Sequence, residues 1–374
     1  MQFRDLQKQY QVLKPRIDEA VVKVMTDCNF ISGAQVKALE QKLAAYVGVK
    51  HCITCANGTD ALKLAEIAYK IGSGDAVFVP DLTFFSTAET VADLGATNIF
   101  VDVDEDTFNM SPVSLENAIQ RVLAEGKLTP KAIVAVDLFG LPADYPAISA
   151  IAEKYDLILI EDGAQGFGGR IADRKACSFG HIATTSFFPA KPLGCYGDGG
   201  AIFTNDDSVA AQIRSLCVHG KSGNDKYNNI QIGMNSRLDT LQAAILDIKL
   251  DAFAEYELDG VNHAALEYDR YLSGKVKVPV VPEGYYSSWA QYTIQLESKE
   301  QRDALQAALK EKGIPTMVYY PRCMHEQGAF EDIPYNGECP MAERLRDTVL
   351  SLPMHPYLDA EQVKFISENV LELL

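Results

Sequence analysis

One lysine stands in Ser186-Phe187-Phe188-Pro189-Ala190-Lys191-Pro192-Leu193-Gly194-Cys195-Tyr196-Gly197-Asp198-Gly199-Gly200, five residues after a serine and just ahead of several glycines. Glycines around a lysine let another group approach the backbone closely. A lysine amine in a desolvated pocket loses its proton more easily and can form a Schiff base with a carbonyl. A lone lysine in a turn is more simply a surface residue, so distant stretches must decide what Lys191 does.

Four stretches bear on it. Asn57-Gly58-Thr59-Asp60-Ala61-Leu62 joins a strand to a helix. Free N–H groups and a hydroxyl at a helix start suit a phosphate, although Thr59 or Asp60 could equally be an ordinary cap. Ile158-Leu159-Ile160-Glu161-Asp162-Gly163-Ala164-Gln165 puts a carboxylate at the C-terminal end of a strand, where open α/β sheets bind ligands. An aspartate there can keep a heteroaromatic nitrogen protonated, or it can cap a loop. Asp81-Leu82-Thr83-Phe84-Phe85-Ser86-Thr87 follows another strand end and offers an aromatic ring for stacking or for the core. Gly233-Met234-Asn235-Ser236-Arg237-Leu238-Asp239 sets polar groups before a helix, with Ser236 as the plain capping choice.

The elements that would position these groups alternate. Helical spacing covers 14–27 and 35–46, the latter with Val36, Leu39, Leu43 and Val47. Strand-like runs at 51–56, 76–80, 99–103, 131–137 and 157–160 are each followed by a helical or glycine-rich segment. This alternation predicts an α/β layer with a mostly parallel sheet. Beyond 205 the pattern changes to helices at 206–218 and 236–271, a strand at 291–296, a helix at 299–311 and a last helix near 359–374. A large domain over 1–250 and a small C-terminal domain over 251–374 are expected.

Lys+Arg 34 against Asp+Glu 51 gives 34 − 51 = −17. That charge argues against nucleic acid and anionic membranes as partners. An anionic ligand must therefore meet local donors. Met1-Gln2-Phe3-Arg4-Asp5 opens a polar segment unlike a signal peptide, and no apolar run reaches spanning length, so a cytoplasmic protein is expected. Cys52 and Cys55 form the one C-x-x-C among eight cysteines, inside a run that reads as a buried strand. Core thiols are expected there, and no metal site.

Taken together, Gly58-Thr59-Asp60-Ala61-Leu62, Glu161-Asp162 with Gln165, Ser186-Phe187-Phe188-Pro189 before Lys191, Gly197-Asp198-Gly199-Gly200 and Asn235-Ser236-Arg237-Leu238-Asp239 resemble the DegT/StrS family of sugar aminotransferases. The motifs follow in order over nearly the whole chain. The resemblance implies an aspartate aminotransferase-type fold (PLP fold type I), with a mostly parallel central sheet and a smaller C-terminal α+β domain. It implies pyridoxal 5'-phosphate, or its amine form, as cofactor. Phe187-Phe188-Pro189-Ala190-Lys191-Pro192-Leu193-Gly194-Cys195-Tyr196 and Ser351-Leu352-Pro353-Met354-His355-Pro356-Tyr357 resemble the branch that aminates UDP-3-keto-N-acetylglucosaminuronate for surface polysaccharides.

By position, the resemblance implies that Lys191 attaches to the cofactor and later carries the proton between substrate and cofactor carbons. Asp162 pairs with the pyridinium nitrogen, Phe84 stacks on the ring, and Gln165 contacts it near its hydroxyl. Gly58, Thr59 and Ser186 hold the phosphate, and Asn235 reaches it from the other subunit of a homodimer with shared sites. Arg237, His219, Tyr319 and Tyr320 face the sugar. Gly163 stands where the family often has alanine, and Tyr319 where the uronate branch is expected to have histidine. Glutamate and a nucleotide-linked keto sugar are the implied substrates. The alternatives are a 4-keto-6-deoxy nucleotide sugar as acceptor, a sugar dehydratase of the same family, and a non-catalytic regulator. Dehydratases of this kind lack the lysine, and a regulator has no use for Lys191, Asp162 and Ser186 together.

Overall fold

The protein is described by a computed structural model that covers residues 1–223, 227–335 and 338–374. Seven strands form the central sheet: β1 (His51–Cys55), β2 (Asp75–Pro80), β3 (Thr97–Val101), β4 (Thr129–Val136), β5 (Ile158–Asp162), β6 (Ile182–Ser186) and β7 (Gly200–Thr204). Their spatial order is β1-β7-β6-β5-β4-β2-β3. The pairs among β2, β3, β4, β5 and β6 are parallel, and β7 runs antiparallel between β1 and β6. The fold is the mostly parallel α/β type expected from the alternation.

Both faces of this sheet are covered, which is why its strands are continuous apolar runs. Side chains alternate between the faces along each strand. Val77, Val79 and Val134 pack with Leu62, Leu64, Val91 and Ile213 from helices α3 (Gly58–Ala68), α4 (Ser86–Asp93) and α7 (Asp207–Leu216). Phe78, Ile133 and Ala135 pack instead with Leu115, Ile119 and Ile148, from α5 (Pro112–Glu125) and α6 (Tyr145–Lys154). A separate apolar cluster joins Tyr268, Tyr292, Leu309 and Ile366 in the C-terminal part of the chain. Cys323, Phe330 and Leu345 return to the cluster under the central sheet.

Two helical expectations change. The first helix, α1, spans Leu6–Asp27, starting well before 14, with the Asp5 carboxylate accepting the Lys8 N–H at 2.8 Å. Pro15 lies inside it, and a proline reads as a break because it has no N–H to donate. The expected helix over 236–271 begins only at Thr240. Ser236 is buried and its hydroxyl accepts the Ala56 N–H at 3.0 Å, so it ties two loops together instead of capping a helix. From Thr240 the chain stays helical through α8 (Thr240–Ala252), a π segment at Phe253–Glu257 and α9 (Leu258–Leu272).

All eight cysteines are free, and Cys52 and Cys55 are buried on β1. Burial pushes both thiols well above their usual range, the opposite of a redox pair. Among the described residues no helix is long and apolar enough to cross a membrane.

Candidate active site

Asp162 ends β5, between β4 and β6. One carboxylate oxygen accepts the Thr87 hydroxyl at 2.9 Å and the other accepts the Ala164 N–H at 3.2 Å. Burial pushes the carboxyl up, while these two bonds and the Lys191 charge pull it back. Glu161, one residue earlier, points to the other face. It accepts backbone N–H groups from Cys177 and Phe179, and burial raises its carboxyl well above the usual range. Two adjacent carboxylates thus serve different layers because strand side chains alternate.

Lys191 sits in the loop after β6. Its N–H donates to the Phe188 carbonyl at 2.9 Å. The turn is tight enough that a Cβ on Gly194 would fall 2.6 Å from the Phe188 and Pro189 carbonyl oxygens. Arg4 braces the loop from the N-terminal end of the chain: its Nη2 donates to the carbonyls of Lys191 (2.7 Å) and Pro192 (3.1 Å). Desolvation lowers the Lys191 amine below its usual range, the Asp162 charge works against that, and the Arg4 charge adds to it. Lys191 Nζ lies 6.0 Å from the Phe84 ring centroid, and Phe84 is 52% exposed although it borders the core. Tyr320 packs beside Phe84 at 6.2 Å and receives a hydrogen bond from Gln165 Nε2 at 3.1 Å. Gln165 Oε1 accepts the Phe139 N–H at 2.8 Å.

The start of α3 closes the other end. The Asn57 side chain caps it by accepting the Asp60 N–H at 2.8 Å. This leaves the earlier N–H groups of the helix free, with the positive end of its dipole. Gly58 is pressed on Ser186: a Cβ there would stand 2.7 Å from the Ser186 Cβ. The Thr59 and Ser86 hydroxyls share a hydrogen bond at 2.7 Å. Three hydroxyls and a helix N-terminus therefore converge at one place.

Tyr319 is half-buried next to Tyr320 and contacts the Phe3 ring at 6.2 Å. The segment that carries both tyrosines is anchored to the end of β2. Asp81 accepts the His325 N–H at 2.9 Å and meets His325 Nδ1 at 2.6 Å. Ser236, between Asn235 and Arg237, accepts the Ala56 N–H just ahead of Asn57, which ties this segment to the start of α3. His219 and Asn235 are exposed, on segments linked by a bridge between Val218 and Asn235. Arg237 is half-buried in a separate cavity of about 450 Å³ with Glu40, Thr54 and Arg214.

Sequence reasoning missed Thr87, Ser86 and Arg4. The first two lie in the stretch that supplied Phe84, on the first turn of α4, where a hydroxyl next to a strand end was the available signal. Arg4 had none, since its partners are 187 and 188 positions away. Gly163 also gains a reason: a Cβ there would stand 2.7 Å from Cys177 Sγ, so cysteine at 177 excludes alanine at 163 unless one of them moves.

The residues present fit pyridoxal phosphate. An exposed ring (Phe84), a half-buried amine, a buried carboxylate and a hydroxyl-lined helix start border one slot, and each matches a part of that molecule. Asp162 can hold a protonated ring nitrogen, the α3 end with Ser186 can hold the phosphate, and Lys191 Nζ can reach a carbonyl carbon between them.

Comparison with known proteins agrees with this geometry. The DegT/DnrJ/EryC1/StrS aminotransferase family matches residues 11–371. UDP-2-acetamido-2-deoxy-3-oxo-D-glucuronate aminotransferase of Pseudomonas aeruginosa is 45% identical over 98% of each chain. UDP-N-acetyl-3-dehydro-alpha-D-glucosamine 3-aminotransferase of Acidithiobacillus ferrooxidans is 43% identical over 99% of this chain and 97% of its own. The crystal structure of a DegT DnrJ EryC1 StrS aminotransferase from Brucella abortus superposes with a TM-score of 0.96 at 47% identity, over 99% of this chain and 98% of that one. The chain belongs to the DegT/DnrJ/EryC1/StrS aminotransferase family, whose cofactor is pyridoxal phosphate.

Proposed function

We propose that this enzyme moves an amino group from glutamate to a nucleotide-linked keto sugar, and that the acceptor is a UDP-2-acetamido-3-keto-hexuronate on the way to a surface polysaccharide. The observation that carries the reading is the desolvated Lys191 amine facing Asp162 beside the exposed Phe84 ring. The acceptor is supported by two relatives named for UDP-linked 3-keto sugars, one a 3-oxo-glucuronate and the other a 3-dehydro-glucosamine.

Pyridoxal phosphate, when bound, supplies an electron sink that lets a C–H bond next to nitrogen ionise. The protein supplies the rest. Asp162, steadied by Thr87 and the Ala164 N–H, keeps a positive charge on the ring nitrogen. Lys191 Nζ, which desolvation makes easier to deprotonate, is the base that would accept a proton and return it to a neighbouring carbon. Phe84 lies against one ring face. Gly58, Thr59 and Ser186 hold the phosphate, and Gln165 fixes Tyr320 beside the ring. Arg237, His219, Tyr319 and Tyr320 contact the sugar.

The same reading makes the protein a homodimer in which Asn235 serves the neighbour's phosphate. Its support is the exposure of Asn235 and His219 together with Ile230 (65%) and Ile232 (93%) on one segment, apolar surface that calls for a cover. It also includes a division of the chain near residue 250, supported by the separate C-terminal apolar cluster, and a cytosolic location, supported by eight unpaired cysteines.

The test is a co-product assay. The purified enzyme is incubated with glutamate and a panel of UDP- and dTDP-linked keto sugars, and 2-oxoglutarate is measured. Release with the UDP-3-keto-uronate is expected. Release with 4-keto-6-deoxy sugars alone would overturn the acceptor.

A further inference from the structure

Arg4 is an unusual cation. Burial draws its guanidinium down to about 10, yet among the described residues no carboxylate lies within 4 Å of it. Its hydrogen bonds are both made by Nη2, to the Lys191 and Pro192 carbonyls. A guanidinium carries five N–H donors in a planar fork, so Nε and Nη1 are left without a partner among the described residues.

The nearby acid makes no ion pair with it. Glu257 is the carboxylate whose charge acts on Arg4, but its oxygens accept hydrogen bonds from other side chains. Gln9 Nε2 donates to both, at 2.9 and 3.0 Å, and the Tyr357 hydroxyl donates to one at 2.5 Å. Glu257 is also shared with a second buried cation, Lys249, whose amine burial draws down to about 8. Arg4 and Lys249 thus share one carboxylate, while Lys191 faces Asp162. A desolvated charge is costly unless it meets an opposite one.

The place of Arg4 says where that opposite charge arrives. Its Nη2 bonds the carbonyl of Lys191 itself, and its charge acts on Lys191, Tyr319 and His355. Phe3, next in sequence, contacts the Tyr319 ring, and the Phe3 carbonyl accepts the Met354 N–H at 3.1 Å. The N-terminal segment is thereby held across the site. The Nε and Nη1 N–H groups left over are donors on a charged guanidinium, which suit a carboxylate oxygen better than any neutral sugar group.

We propose that Arg4 is a carboxylate-binding residue of the substrate site, taking the carboxylate of either the amino donor or the sugar acceptor. This rests on the transaminase reading above. That reading is tested by 2-oxoglutarate release from the wild-type enzyme, and the present one by binding alone, so each can fail separately.

The cofactor-loaded enzyme is titrated with glutarate, UDP-glucuronate and UDP-N-acetylglucosamine, following the visible band. In Arg4→Gln the Kd of glutarate, of UDP-glucuronate or of both rises about tenfold or more, the effect of losing a charged hydrogen bond. The Kd of UDP-N-acetylglucosamine, which has no carboxylate, stays within about twofold. Selective weakening of glutarate assigns the donor's carboxylate, and of UDP-glucuronate the acceptor's. Equal weakening of all three, or of none, overturns the proposal and leaves Arg4 as a brace for the loop. If Arg4→Gln does not fold, Arg4→Lys keeps the charge but loses the fork. The same selective loss is expected there, and equal binding of all three probes in wild type and variant overturns the proposal.

Discussion

Two regions of this molecule carry the residues proposed for its reaction, and they are built differently. At the sheet edge, Asp162, Lys191, Phe84, Gly58 and Ser186 come from strand ends and the loops behind them, and one chain brings them together. On the segment around 219–237, His219 and Asn235 are exposed beside Ile230 and Ile232, and Arg237 lines a cavity of its own. The sheet edge is assembled by its own core, because parallel strands end at one level and deliver their loops side by side. The second region is tied to the first through Ser236 and the Ala56 N–H, and it leaves His219 and Asn235 exposed.

Lys191→Ala is the strongest way to break the first half of that comparison. Loss of the proton carrier is expected to lower turnover by about 10⁴-fold. Retention of near-wild-type release of 2-oxoglutarate would remove Lys191 from the chemistry.

Asp162→Asn tests whether burial alone or charge matters there. The amide keeps the size but loses a charge-assisted bond, so kcat is expected to fall about 10²-fold with cofactor retained. A change confined to KM would make Asp162 a loop cap.

Mixed dimers probe the second region. Lys191→Ala and Asn235→Asp chains, each inactive alone, are unfolded together and refolded in equal amounts. If Asn235 serves the neighbour, a mixed dimer has one doubly damaged site and one intact site. Half the dimers are mixed, so about a quarter of wild-type activity returns. Confirmed mixed dimers without activity would place Asn235 in its own subunit's site.

The smallest effect on turnover is expected at a buried carboxylate outside both regions. Glu66 on α3 accepts the Thr90 hydroxyl at 2.9 Å, its other oxygen is unpartnered, and desolvation pushes it up to about 8. A carboxyl with a raised folded pKa binds its proton more tightly folded than unfolded. Its contribution to stability is full below the unfolded value of 4.5 and is lost as pH rises towards 8. Glu66→Gln should abolish that decline, gaining on the order of a few kcal/mol relative to wild type between these limits, with kcat unchanged. Parallel melting-temperature profiles of the two proteins from pH 5 to about 8 would show the carboxyl to be unperturbed.

The Asp162 and Glu66 pair also marks where sequence reading succeeds. Asp162 was legible because a carboxylate at a strand end either caps a loop or meets a ligand, and the family motif around it favoured the ligand. Glu66 sits inside a helical pattern, where a charged residue reads as a solvated face, and only the packing of α4 against α3 buries it. Thr87 and Arg4 were illegible for a related reason: each acts through a partner far along the chain, 75 and 187 positions away.

The amino-acid sequence by itself determined the alternation of strands and helices and the order of the motifs whose resemblance singles out Lys191 and Asp162. These depend on local periodicity and on residue types that chemistry restricts. Tertiary structure alone decided that β7 enters antiparallel between β1 and β6, that Ser236 ties two loops, and that the N-terminal Arg4 braces the Lys191 loop. Each is a contact across many residues. Its free energy comes from desolvation and hydrogen bonding at one point in space, and no spacing along the chain encodes that point.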